Sequence, residues 1–179
     1  MNPTPANRIS GRTAHAEPGP STRATFELVP ACSAKSLRQA NELFVEYEQA
    51  IGVNLCFQNF QQELADLPGR YAPPEGRLLI ALSAAGPAGC VALRKIGAGS
   101  CEMKRLYVRR AFRGQGLGRK LASAIIDEAR QMGYTTLRLD TLASMREAIA
   151  LYRSLGFKNS RAYCYNPCAD AVYLQLKLK

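Results

Sequence analysis

The run E-M-K-R-L-Y-V-R-R-A-F-R-G-Q-G-L-G-R-K-L, residues 102–121, decides the reading of this chain. Its first part closes a strand expected over about 101–108, and its last part opens a helix expected over about 116–132. Between them stands an R-x-x-G-x-G loop, Arg113 to Gly118. Glycines at 114, 116 and 118 allow a tight turn and a close approach of backbone to a ligand. The unpaired N–H groups at a helix start point outward and favour negative charge. Arg113 and Arg119 add positive charge on either side of the loop. Such an arrangement suits phosphate, although a glycine-rich loop by itself also serves as a plain structural turn. The dinucleotide fingerprint fits less well, because the spacing here is G-x-G-x-G and no convincing acid follows about 20 residues on. A Walker loop is excluded, since no G-K-[ST] follows.

Charge supports an anion site. Residues 94–120 hold nine bases (Arg94, Lys95, Lys104, Arg105, Arg109, Arg110, Arg113, Arg119, Lys120) and one acid, Glu102. That is a net +8 of the chain's total +10. The excess is local, so it reads as one anion-binding region and not a basic coat.

Outward from this run, residues 1–23 are rich in Pro, Gly, Ser, Thr and Ala and read as a disordered or loosely attached tail. A domain over 24–179 follows. It begins with a strand at 24–30 and a helix over 34–50 that Ser33 can cap. A shorter helix over 57–66 and a Pro/Gly-rich loop at 67–76 come next. Strands at 77–83, 88–96 and 101–108 are joined by short Gly-containing links, as in an antiparallel meander. After the helix over 116–132, a strand at 135–140, a helix over 144–155 and strands at 158–165 and 171–178 complete the chain. This is an α+β order, with a mixed, mostly antiparallel sheet flanked by helices.

The length of 179 residues suits one domain, and 47% apolar residues can build its core. No apolar run approaches the roughly 20 residues of a membrane span. The N-terminal stretch lacks the apolar region of a secretory signal, so a cytoplasmic location is the default expectation. Of six cysteines, Cys32, Cys56, Cys90 and Cys101 sit in or beside apolar stretches, and most of the six read as small buried thiols. Cys164 and Cys168 lie four apart, but one histidine, His15 in the tail, is too few ligands for zinc, and no metal is expected.

Residues 102–121 resemble motif A of the GNAT superfamily of N-acetyltransferases. The run A-I-A-L-Y-R-S-L-G-F, residues 148–157, resembles that family's motif B. The resemblance implies a sheet splayed at the cofactor-binding strand, with acetyl-coenzyme A as cosubstrate. Backbone groups of Leu106, Tyr107 and Val108 would bind the pantetheine arm. Arg113, Gly114, Gln115, Gly116, Leu117, Gly118 and Arg119 would take the pyrophosphate. One position departs from the family: Met145 stands where many members carry Asn, and a thioether makes poor hydrogen bonds.

Acetyl transfer to an amine needs a base or water relay, a donor to the developing oxyanion, a proton for the leaving thiolate, and both substrates within attack distance. By resemblance to motif B, Tyr152 is the candidate acid; an ordinary phenol is protonated at neutral pH. Its bland reading is a core aromatic. Glu102 is the candidate base, because some members carry a catalytic Glu on that strand; its bland reading is a surface acid paired with Lys104 or Arg105. Tyr163 and Tyr165, and Tyr71 in its Pro-rich loop, could wall the acceptor site or simply pack. Cys164 has no histidine to activate it, which favours direct attack by the amine over an acyl-enzyme. Residues 35–75 hold six acids (Glu42, Glu46, Glu48, Glu63, Asp66, Glu75) against three bases, a net −3 that could draw a cationic amine.

The expectation is therefore an N-acetyltransferase acting on a primary amine, either a small molecule or a peptide, with no nucleic-acid or membrane partner; a homodimer stays open. Met145 motivates an alternative, a coenzyme A-binding module without catalysis. The charge of +10 motivates a third, a nucleic-acid binder, but no helix-turn-helix, aromatic ribonucleoprotein strand or zinc ligand set accompanies it.

Overall fold

The computed structural model describes residues 24–179; the expected tail at 1–23 lies outside the described residues. Ser33 starts the first long helix, α1 (Ala34–Ile51), with a reciprocal cap. The Ser36 amide donates to Ser33 Oγ at 3.1 Å, and the Ser33 amide donates to Ser36 Oγ at 2.9 Å. Gly52 ends it in the left-handed conformation, φ 64°. Before it runs β1 (Glu27–Pro30), shorter than the expected 24–30. After it come a 3₁₀ turn at Cys56–Gln58, helix α2 (Phe60–Ala65) and a second 3₁₀ turn at Gly69–Tyr71. The helix expected over 57–66 is thus split at Asn59, whose positive φ of 56° interrupts it.

The meander is present as β2 (Arg77–Ser83), β3 (Gly86–Gly97) and β4 (Ser100–Val108). Next follow α3 (Leu117–Gln131), β5 (Thr136–Leu142), α4 (Arg146–Ser154), β6 (Lys158–Asn159) and β7 (Ala171–Lys177). The sheet order is β1-β2-β3-β4-β5-β7-β6, antiparallel throughout except for the parallel pair β4 and β5. Both faces are covered, which explains why β2 reads as a continuous apolar run instead of alternating with polar residues. Leu79 and Ala81 pack with Leu121 and Ile125 of α3, whereas Leu78 and Ile80 pack with Leu43 and Phe44 of α1. Burial of each large apolar side chain stabilises the fold by roughly 1.5–3 kcal/mol. No helix among the described residues is long and apolar enough to cross a membrane.

Two expectations need correction. The strand expected over 158–165 stops at Asn159, because residues 160–170 turn away from the ladder to lay Tyr163 and Asn166 over buried carboxylates. Cys90 and Cys101 are buried as expected, but Cys32 and Cys56 are exposed: the apolar neighbours of each turn inward on a bend or 3₁₀ turn, leaving the thiols outside.

The sheet opens at β4. Cys90 faces Tyr107 but Ala92 faces Lys104, so β4 carries an extra residue at this point. Arg105 sits at this bulge in the left-handed region, φ 56°, a conformation that costs a non-glycine residue of order 1–3 kcal/mol. Just beyond the bulge Gly89, opposite Val108, must lack a side chain, since a Cβ there would lie 2.5 Å from the Tyr107 carbonyl oxygen. On its other edge β4 pairs with β5 only at Ser100, Cys101 and Glu102; past Glu102 the strands diverge.

Candidate functional site

At the C-terminal end of β4 the chain makes a 3₁₀ turn, Arg110–Phe112, and then the glycine loop. Gly114 has φ 74° and Gly116, the residue that starts α3, has φ 81°. An added Cβ at either would meet nothing within 4 Å, so open space lies in front of the loop. No side chain caps the start of α3. Its first-turn N–H groups therefore face that space without an intrahelical partner. Leu117 differs from its neighbours: its side chain is 1% exposed and belongs to the core, leaving only its backbone to the loop. Arg113 donates Nε to the Val108 carbonyl at 3.0 Å and lies over the Tyr107 ring. Gln115 accepts from the Ala24 amide at 3.2 Å, and Arg119 donates to Ser154 Oγ at 2.6 Å.

Pairing divides the basic window into two parts. Arg94 is paired with Glu102, Lys95 with Glu75, Lys104 with Asp140, Arg105 with Glu63, and Arg109 with Glu46. Arg110, Arg113, Arg119 and Lys120 have no acidic partner among the described residues. The uncompensated charge thus gathers around the loop. The same pairs use up much of the acidic excess of residues 35–75, so that lobe is far less negative than its sequence suggests.

A groove runs from the loop along the opened sheet, with Leu106, Tyr107 and Val108 on one wall and Leu142, Met145 and Leu151 on the other. Leu106, Leu142 and Met145 also line a deeper chamber with Tyr47, Lys104, Arg105, Asp140 and Tyr152, so groove and chamber adjoin along a shared wall. Met145 Sδ accepts a 3.5 Å bond from Thr141 Oγ1.

Tyr152, on α4, is 7% exposed, packs its ring 5.7 Å from that of Phe157, and borders the chamber. Burial pushes its phenol further above the ordinary tyrosine value, with the carboxylate of Asp140 adding to this, so it is protonated. Glu102 is fully buried and lies outside the chamber lining. It accepts from Arg94 Nε at 2.6 Å and Tyr163 Oη at 2.8 Å, with Lys104 Nζ at 3.8 Å. It is therefore neither a surface acid nor a wall of the chamber; it stands one layer behind.

The carboxylate on the wall is Asp140, which the sequence reading missed. It is 3.2 Å from Lys104 Nζ and accepts from Asn166 Nδ2 at 2.9 Å. Burial works to raise its pKa, but the Lys104 charge and these hydrogen bonds outweigh it and hold the carboxyl below the usual range. The signal was present: in T-L-R-L-D the polar residues alternate on one face of β5, pointing Arg138 and Asp140 away from the α3 core. Of the tyrosines, Tyr163 reaches Glu102, Tyr71 is buried and donates to Glu63 at 2.8 Å, and Tyr165 is 78% exposed.

Residues 38–157 match the family model described as the acetyltransferase (GNAT) family. An uncharacterised N-acetyltransferase of Schizosaccharomyces pombe is 44% identical over 138 residues, spanning 76% of this chain and 85% of the relative. A GNAT-family acetyltransferase from Staphylococcus aureus shares the fold with a TM-score of 0.72 at 15% identity, over 87% of this chain and all of the other. A Salmonella typhimurium protein described as an acetyltransferase, solved with its cofactor acetyl-CoA, superposes with a TM-score of 0.60 at 21% identity, over 88% of this chain and 95% of the other. The bulged β4, the glycine loop opening α3 and these relatives agree: the chain belongs to the GNAT family and is an N-acetyltransferase.

Proposed function

We propose that this enzyme moves an acetyl group from acetyl-coenzyme A to a primary amine by direct attack, with both substrates bound together. The observation that carries the reading is the shared wall of groove and chamber, with Arg113 of the glycine loop on the groove and Tyr152 on the chamber. Support for the cosubstrate comes from the four unneutralised bases at the loop and from the fold relative solved with acetyl-CoA. In this reading the loop backbone from Arg113 to Gly118, with Arg119, takes the pyrophosphate. The edge of β4 at Leu106, Tyr107 and Val108, unpaired from β5, takes the pantetheine arm.

The acceptor amine enters the chamber and its nitrogen attacks the thioester carbonyl. As the tetrahedral oxyanion collapses, the C–S bond breaks and Tyr152 donates its phenolic proton to the thiolate. The nitrogen loses a proton to Asp140, directly or through water. Glu102 acts behind Asp140, through Lys104, as a relay and not as the first base. Methionine at 145 removes one polar contact from the cofactor end, while Thr141 and Ser144 keep hydroxyls nearby.

Incubating the purified protein with acetyl-coenzyme A and a panel of small-molecule and peptide amines should release free thiol. Cofactor binding with no thiol from any amine class would favour the non-catalytic coenzyme A-binding module instead.

A further inference from the structure

On the sheet face that carries α1 and α2, three charged residues stand in cross-strand register. Arg94 of β3 lies opposite Glu102 of β4, and Glu102 lies opposite Arg138 of β5. Neighbouring strands are about 4.8 Å apart, so the two arginine backbones flank the carboxylate at about 10 Å from each other. Glu102 is already engaged by Arg94, Tyr163 and Lys104. Arg138 has no acidic partner among the described residues. Its Nε is buried and meets no acceptor, and its guanidinium lies 5.4 Å over the Tyr163 ring. Arg94 spends only its Nε on Glu102.

These side chains line a pocket of their own, together with Ile96, Gly97, Ser100 and Cys164. Two guanidiniums and one carboxylate leave it one negative charge short, and it holds a buried donor with nothing to donate to. Guanidinium N–H groups match a carboxylate in both charge and fork geometry. The neighbouring group of Glu102, Asp140 and Cys164, whose ligand atoms lie within 4.8 Å of one another, is different in kind. The Lys104 ammonium already supplies positive charge there, 3.2 Å from Asp140 and 3.8 Å from Glu102.

We infer that the pocket between Arg94 and Arg138 binds a small carboxylate, one side-chain layer behind the reaction chamber. The carboxylate has two sources of the same chemistry: the far end of the acceptor, or a separate small acid. Arg138 and Asp140 are two residues apart on β5, about 7 Å. That is about the reach of a lysine side chain, so an acceptor that passes the intervening layer and reaches both sites carries an ω-amine and not an amine beside its carboxylate. The site itself stands on the geometry of the pocket, whereas the acceptor source rests on the acetyl-transfer reading.

The test starts without turnover. Propionate is titrated into the purified full chain by NMR, with propionamide as the uncharged control. Saturable binding of propionate alone is expected, weakened at least about tenfold in Arg138→Gln and less in Arg138→Lys. Among the described residues the Arg138 side chain makes no hydrogen bond that the variant would break, and an unchanged melting temperature checks the fold. Absence of saturable propionate binding, equal binding of propionamide, or parental affinity in Arg138→Gln overturns the site. Acetylation of lysine and of its decarboxylated twin, cadaverine, then identifies the source. A lower KM for lysine that Arg138→Gln erases assigns the carboxylate to the acceptor. A change in cadaverine acetylation by propionate, without competition, assigns it to a separate acid. Propionate binding with every amine inert sinks the acetyl-transfer reading and leaves the site standing; turnover without propionate binding does the reverse.

Discussion

Lys104 Nζ lies 3.2 Å from Asp140 Oδ1 across the opening between β4 and β5, and each side chain is 6% exposed. The two strands share ladder pairs only as far as Glu102, so this ion pair bridges them where their backbones part. The pair places a fixed carboxylate, and no mobile charge, at the floor of the chamber. Glu102 is linked to it through Lys104, 3.8 Å away, and its carboxylate comes within 4.8 Å of that of Asp140.

Replacing Asp140 should therefore cost more rate than replacing Glu102. Asp140→Asn is expected to lower kcat by about 10²-fold, the usual scale for a general base. Glu102→Gln should lower it less. Steady-state pH–rate profiles of both variants decide the order. A larger loss in Glu102→Gln would return that residue to the front of the mechanism.

Acid should destabilise the fold through two buried pairs. Asp140 is held below the ordinary carboxylate range against the opposing effect of burial, and so is Glu63, where the Arg105 fork provides the counter-effect. Since both folded-state values are depressed, their stabilisation is complete above the unfolded value of about 4. It is lost as the pH falls through the lower folded values. Urea unfolding at steps from neutral to about pH 3 should show this decline, and Asp140→Asn should flatten it while lowering stability at neutral pH by about 3 kcal/mol. Parallel curves for parent and variant would remove Asp140 from the acid response.

Arg105 is held at its positive φ by more than its backbone. Glu63 receives Nε at 2.8 Å and Nη2 at 2.6 Å, and the guanidinium lies 5.0 Å over the Phe60 ring. Glu63→Ala should leave that charge buried and unmatched, at about 3–5 kcal/mol. The bulge should relax and acetyl-coenzyme A affinity should fall with stability. Calorimetry and a thermal melt on the same sample read both.

Gly116→Val tests the loop. The residue's φ of 81° suits glycine, and a branched side chain would project into the open space before α3. Cofactor binding should be lost while the far-UV spectrum is retained. Parental affinity for coenzyme A would make the loop a structural turn and nothing more.

Tyr152→Phe keeps the ring against Phe157 and removes only the hydroxyl. If that hydroxyl protonates the thiolate, kcat should fall by about 10²-fold with KM for acetyl-coenzyme A little changed. Parental kcat would leave water as the proton source.

The order of elements, the glycine loop and the placement of Tyr152 were legible because each rests on local rules: caps, turn residues and the periods of helix and strand. Residues 102–121 carry strand, loop and helix start within twenty neighbours, so short-range chemistry was enough. Long-range pairing was not legible in this way. Residues 35–75 and 94–120 look like an acidic lobe and a basic patch, yet folding sets Glu46, Glu63 and Glu75 against Arg109, Arg105 and Lys95 and cancels much of both. Glu102 could be read either as a catalytic base or as a surface acid paired with Lys104 or Arg105. The cross-strand register, together with Tyr163 from a segment 61 positions away, buries it. Asp140 reaches the chamber only because β4 and β5 part beside it. A residue's charge and local period are written in its immediate sequence, whereas its burial and its partners depend on which strands the fold brings alongside.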